Sequence, residues 1–438
     1  MDVQRTTHAR VFAIAGPAML ANLTTPLLGI VATAVIGRLG EAHLLGGVAM
    51  ASVVFDCTFW LFGFLRMSTV ALTAQARGAD DAAEMRATLA RALVVAVAFG
   101  AGLLLIQGPV TAIIFHLMGA SGPVSDAAKL YFHLRLWSTP FLLANYAVLG
   151  WLIGQARAGS ALGIQTLINT INIAATTALV LVFGLGIAGA AYAAVIAEAS
   201  GLGLGLFIAM RILGLGKMKL SRAVLFDRGK ILRLMAINRD IVIRTAALIA
   251  AFLFFTAQGA RGGDTVLAAN AILNNFALIG SFFLDGLATA AEQLCGQSRG
   301  AHDRANFLRA TKLILGWSCA FALAVALALA LSGGALIDLM TASEDVRQTA
   351  RLYLWLAALA PVCGVAAYAY DGIYIGATWS RDMRNLMLAA LAIYFLSWAA
   401  LQPLGNTGLW LALLTFLLAR GALQALRYPA LLEKSFAA

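Results

Sequence analysis

"AQARGADD" at residues 74–81 returns as "GQSRGAHD" at residues 296–303. Gln75, Arg77, Gly78 and Asp81 thus face Gln297, Arg299, Gly300 and Asp303 across an offset of 222 residues. "LIGQA" around Gly154 and "YIGAT" around Gly376 keep the same offset. Two matches at one spacing mark a duplication of about half the chain. Each motif sits between long apolar runs, so the repeated unit is a set of helices joined by short polar turns.

Composition says where those helices live. The chain has 438 residues, 61% hydrophobic and only 12% charged, whereas a soluble domain is roughly half apolar and a quarter charged. A span needs about 20 mostly apolar residues. Twelve runs meet that need, near 10–36, 46–76, 88–117, 126–153, 158–183, 187–212, 241–261, 265–297, 305–333, 345–376, 383–402 and 406–429. The expected fold is an all-α integral membrane protein with twelve transmembrane helices in two six-helix lobes, residues 1–212 and 241–438. A basic amphipathic linker, 213–240, joins them. Six spans per half is even, so both halves run in one sense and are related by a pseudo-twofold axis along the membrane normal, around a central cavity.

The net charge of +11 fits loops held on the inner side better than nucleic-acid binding. With both termini cytoplasmic, about 23 Lys and Arg fall inside and about 6 outside. The basic linker is expected to meet anionic lipid. The first run is longer than the roughly 7–15 residues of a signal h-region and is expected to remain as the first span. Cys57, Cys295, Cys319 and Cys363 lie singly in apolar runs, and the five histidines are scattered, so neither a disulfide framework nor a metal site is expected. "GLGIAG" (184–189) joins two spans rather than a strand and a helix, and no Walker A sequence appears. Direct use of ATP is not expected.

Several stretches resemble the multidrug and toxic compound extrusion (MATE) transporters, and among them the DinF-like branch. They include "FLRMSTVALTAQARGA" with its partner "LDGLATAAEQLCGQSRGA", and "YDGIYIGATWSRDMRN". "VIAEA" near Glu198, "NRDIVIRT" at 238–245, "FFTAQGARGGD" at 254–264 and "TGLWLALLTFLLARG" also fit. The resemblance covers essentially the whole chain. It implies a cation-coupled antiporter, not an enzyme, with H+ or Na+ as coupling ion and no cofactor. Amphipathic organic compounds, cations above all, would be exported by a monomer in a bacterial inner membrane. A lipid-linked oligosaccharide flippase of the same superfamily is the alternative; it would need a wide, basic cavity.

An ionisable group inside a span costs roughly 2.5–3.5 kcal/mol on insertion scales, so each needs a reason. Asp371, amid Tyr368, Tyr370 and Tyr374, is a candidate cation site or the buttress of a bend at Gly372. Asp285 and Glu292 lie seven residues apart on one helix face. Either could couple, and Asp285 could alternatively pair with Arg244. Asp56 is a further coupling candidate, or an acid reaching water. Arg66 and Glu198 read as a structural ion pair. Phe55, Trp60, Asn145, Tyr146, Phe282 and Tyr370 are candidates for a substrate cavity with aromatic walls. In the DinF-like branch, the stretch matching "LLGIVATAVIGRLG" (27–40) usually carries Asp where this chain has Ala32. A second family acid corresponds to Thr176. Both N-lobe positions are vacant, which moves the expected coupling site to Asp285 and Asp371.

Overall fold

The computed structural model describes residues 5–118, 121–214 and 222–437, and among them there is no strand. The elements are α1 (His8–Gly37), α2 (Ala42–Leu61), α3 (Phe64–Gly78), α4 (Ala82–Leu105), α5 (Gln107–Met118), α6 (Gly122–Leu136), α7 (Thr139–Gly154), α8 (Ala158–Thr177) and α9 (Gly186–Leu213). They are followed by α10 (Arg222–Leu225), α11 (Arg228–Arg261), α12 (Asp264–Gly300), α13 (Arg304–Met340), α14 (Glu344–Gly376), α15 (Ser380–Leu401) and α16 (Gly405–Phe436).

These make twelve membrane runs. Three are broken: α2–α3 at Phe62 and Gly63, α4–α5 at Ile106, and α6–α7, bent by 51° just before Pro140. The apolar stretch Ser380–Phe436 is 57 residues long, about 85 Å at 1.5 Å per residue, against a hydrocarbon core of about 30 Å. It folds back instead, through a 3-10 turn at Gln402–Leu404 and Gly405 at φ +58°, and α15 packs on α16.

Two compact units divide the chain. One comprises Leu20–Arg77 and Asp81–Met235, and is called the N-terminal unit. The other comprises Met1–Met19, Gly78–Asp80 and Ala236–Ala438, the C-terminal unit. Residues 228–240, read from the sequence as linker, are the opening turns of α11. Their amphipathic pattern hid a helix that starts before its apolar part. The Lys230 backbone N–H donates to Asp227 Oδ1 at 3.0 Å, and this bond holds the Asp227 carboxyl below the usual carboxylate range.

The duplication is visible in the backbone of each unit. Among the described residues, the non-glycine positions with left-handed φ are Asp80, Ala156, His302 and Thr378. They form two pairs, each 222 residues apart. Asp81 caps α4 by accepting from Glu84 N–H, and Asp303 caps α13 by accepting from Asn306 N–H at 2.9 Å. Replacing Asp303 with Ala is expected to cost about 1 kcal/mol, read as a lower thermal midpoint in detergent, with Asp303→Asn close to wild type. The interhelical crossings repeat too. A Cβ on Gly150 would meet the Arg66 carbonyl at 2.6 Å, and one on Gly372 the Ala288 carbonyl at 2.3 Å. Gly154 and Gly376 approach the carbonyls of Val70 and Glu292 in the same way. Only glycine lets backbones come this near.

Candidate functional site: two polar clusters

In the C-terminal unit, the close crossing of α14 on α12 at Gly372 buries the preceding residue, Asp371, to 4% exposure. α11 brings Arg244 to it, and α16 brings Arg420 and Gln424, four residues apart and so on one face. Asp371 Oδ2 accepts from Arg244 Nη2 and from Arg420 Nη2, the latter at 2.8 Å. Oδ1 accepts from Gln424 Nε2 at 2.7 Å. The Tyr374 hydroxyl donates to the Gln424 carbonyl at 2.7 Å and braces the group. Arg420 lies over the rings of Phe416 and Tyr368, at 5.5 and 5.9 Å. The Tyr368 and Ser281 hydroxyls are hydrogen-bonded at 2.7 Å, and Asp285 is within electrostatic reach of Tyr368. Asp371 is therefore a carboxylate whose counter-ions are two internal guanidiniums.

The N-terminal unit holds a different arrangement. Arg135 ends α6 beside the bend, over the Phe55 ring at 4.6 Å, and donates to the Tyr131 hydroxyl at 3.1 Å. Asp56 and Glu198 both lie within its electrostatic reach. On α7, Asn145 Nδ2 donates to Glu198 Oε2 at 2.7 Å and to the Glu198 carbonyl at 2.9 Å. Tyr146 lies within electrostatic reach of Glu198, Arg66 and Asp56. Asn145 itself is 2% exposed, and its Oδ1 is buried with no hydrogen-bond partner among the described residues. An orphaned acceptor therefore stands beside a carboxylate.

Tyr146 and Tyr368 are 222 residues apart and hold equivalent places in the repeats. Tyr146 neighbours the acid Glu198, while Tyr368 neighbours the base Arg420. The duplication has kept the ring and inverted the charge beside it.

The residues singled out from sequence fall as follows. Arg244 pairs with Asp371 rather than with Asp285, because Asp371 is enclosed at the α14 crossing whereas Asp285 is exposed on α12. Glu292 is buried at 2% on α12. Asp56 is exposed on α2. Phe55 is fully enclosed, stacked on Phe59 at 5.3 Å and against Phe132 at 4.7 Å. It belongs to an aromatic core and not to an open wall. Asn145 binds Glu198, which the sequence reading had assigned to Arg66. Trp60 is exposed, and Phe282 and Tyr370 are half-buried, with Tyr370 against Tyr428 at 5.6 Å. Ala32 is half-buried on α1 and Thr176 is buried on α8. Sequence reasoning missed Arg135, Arg420 and Gln424. The last two were legible as a polar pair four residues apart inside an apolar run.

Comparison with known proteins agrees with this architecture. The MatE family profile matches residues 17–177 and 241–399. The chain is 38% identical over 408 residues to DNA damage-inducible protein F of Escherichia coli (strain K12), covering 93% of this chain and 89% of that protein. It is 28% identical to the "Probable multidrug resistance protein NorM" of Deinococcus radiodurans, covering 91% and 90%. A crystal structure of MATE in the bent conformation superposes with a TM-score of 0.86 at 18% identity, over 97% of this chain and 96% of that one. The eukaryotic MATE transporter AtDTX14 superposes with a TM-score of 0.85 at 16% identity, over 98% of each chain. These superpositions establish the twelve-helix fold, and the profile with the 38% relative establishes kinship. The chain belongs to the MatE family of multidrug efflux transporters, multi-pass membrane proteins that are not enzymes.

Proposed function

We propose that the protein is a secondary-active antiporter of a bacterial inner membrane, with both termini cytoplasmic. It exports amphipathic organic compounds, chiefly cations, in exchange for H+ or Na+ by alternating access. The observation that carries the coupling assignment is the orphaned Asn145 Oδ1 beside Glu198. A proton carried on the carboxylate, or a cation between the two oxygens, supplies what that acceptor lacks. Asp56, exposed on α2, is the relay to water.

Asp371 plays a different part in this reading. Two guanidiniums occupy its oxygens, so it fixes the C-terminal unit, and Asp285 and Glu292 are the exchangeable acids there. A flippase for lipid pyrophosphates would need a surplus of cations. Here Asp56 and Glu198 stand against Arg66 and Arg135, and Asp285 and Asp371 stand against Arg244 and Arg420.

The test is efflux from proteoliposomes under an imposed proton or sodium gradient. Glu198→Gln is expected to lower gradient-driven efflux by about 5- to 150-fold, the range of an ordinary coupling free energy, while substrate exchange without a gradient persists. Asp56→Asn should give a smaller loss in the same direction. Wild-type efflux by both variants, in both gradients, would overturn the assignment.

A further inference from the structure

Away from both clusters, α4 and the start of α11 enclose a cavity of about 230 Å³ in the N-terminal unit, lined by Leu72, Glu84, Thr88, Arg91, Lys230 and Arg233. Its frame is built and satisfied. Arg91, 5% exposed, donates from Nη1 to Glu84 Oε1 at 2.8 Å, from Nη2 to the Val224 carbonyl at 2.6 Å and from Nε to the Leu225 carbonyl at 3.3 Å. Lys230 Nζ reaches Glu84 Oε2 at 2.5 Å, and Arg233 Nη2 reaches Gln75 Oε1 at 3.1 Å.

Two observations point to a ligand. Three cations share the cavity with a single carboxylate, a surplus of two positive charges. The second is Thr88, only 4% exposed, whose hydroxyl has no hydrogen-bond partner among the described residues. Other buried or half-buried helical threonines here donate back to the carbonyl four residues earlier, as Thr58, Thr69, Thr111 and Thr289 do. Thr88 does not, so its donor is kept for something else. A group that brings several acceptor oxygens, no donors when ionised and one or two negative charges meets all of these demands.

We propose that this cavity binds a phosphate group, carried by an anionic phospholipid or free in solution. Bound there, the phosphate ties the first turns of α11 to α4, adding to the clasp that Arg91 makes on the Val224 and Leu225 carbonyls. The site lies beside the polar turn before α4 and the capped start of α11, where chain meets the membrane–water boundary and where basic residues attract anionic headgroups.

The experiment uses the full-length protein in nanodiscs, with Thr88→Val, a near-isosteric change, and the double variant Lys230→Gln/Arg233→Gln. One arm measures phosphatidylglycerol retained by native mass spectrometry against a phosphatidylcholine background. The other measures the shift in thermal midpoint caused by inorganic phosphate in phosphatidylcholine, against chloride at equal ionic strength. The double variant is expected to weaken the responding arm by roughly 25-fold, about fivefold for each cation removed near an anionic ligand. Thr88→Val is expected to weaken it several-fold with no change in the chloride midpoint. A response in the lipid arm names a headgroup as the source, and one confined to the other arm names free phosphate. Equal behaviour of wild type and both variants in both arms overturns the proposal.

Discussion

Asp371→Asn is expected to unfold the C-terminal unit far more readily than wild type, whatever it does to transport. The substitution keeps the shape of the side chain and removes the one charge that Arg244 and Arg420 share. Both arginines are almost fully enclosed, 6% and 2% exposed, so they cannot turn to water for compensation. Breaking a buried pair from one side costs about 3–5 kcal/mol, here with two cations stranded rather than one. For a unit of about 200 residues that is a midpoint lower by roughly 6–20 °C. A thiol-reactive dye can follow it, because Cys295 is free and buried and reports opening of α12. The companion variant carries Asp371→Leu, Arg244→Met and Arg420→Met together. Replacing a whole buried ionic group with apolar side chains is often neutral or stabilising, and this variant should melt near or above wild type. Asp371→Asn melting with wild type would remove the structural role given to this carboxylate.

Gly372→Ala is expected to damage the same unit by another route. Its new methyl would meet the Ala288 carbonyl oxygen at 2.3 Å, with the Ala288 Cα and carbonyl carbon at 2.8 Å. The obstacle is backbone, so relief needs α12 and α14 to separate along a crossing that also carries Gly376. Overpacking of this kind costs about 1–3 kcal/mol, and the upper end is expected. Gly150→Ala, at 2.6 Å from the Arg66 carbonyl, should do the same to the N-terminal unit. Gly163→Ala and Gly203→Ala are the controls. Nothing stands within 4 Å of either new methyl, and a mid-helix Gly to Ala change alone favours the helix by roughly 0.5–1 kcal/mol. Thermal midpoints in one detergent would separate the two classes. No separation between them would mean that the crossings are looser than the backbone distances indicate.

The repeat motifs that gave the architecture were legible because a duplication writes the same turn twice, and the turns at 78–81 and 300–303 keep their caps and left-handed residues. The bend before Pro140 was legible in principle, since the residue before proline avoids the helical region. The π turn at Ala178–Val182 left no comparable mark, because "ALVLV" is ordinary helix sequence. The early start of α11 was hidden by a shift in what the helix faces, polar surroundings first and an apolar interior later, while the backbone continued unchanged. Site residues were harder for a different reason. Arg244 and Asp371 lie 127 positions apart, so no local pattern says whether Arg244 meets Asp371 or Asp285, and packing alone decides. Arg135 read as a loop residue because it precedes a break, yet that break is what swings its guanidinium over Phe55.

The two equivalent tyrosines have a consequence for how such a molecule can be rebuilt. A duplicated gene starts with interchangeable halves, and here the backbone turns are still interchangeable while the partners of Tyr146 and Tyr368 are not. Two copies of the first half, fused end to end, would reproduce every cap and crossing and carry an acid beside both rings. Two copies of the second half would carry a guanidinium beside both. Either tandem has the hardware of a folded bundle without the contrast between a half that can change its charge and a half that holds it fixed. Heredity made this protein symmetrical; its work depends on where that symmetry was lost.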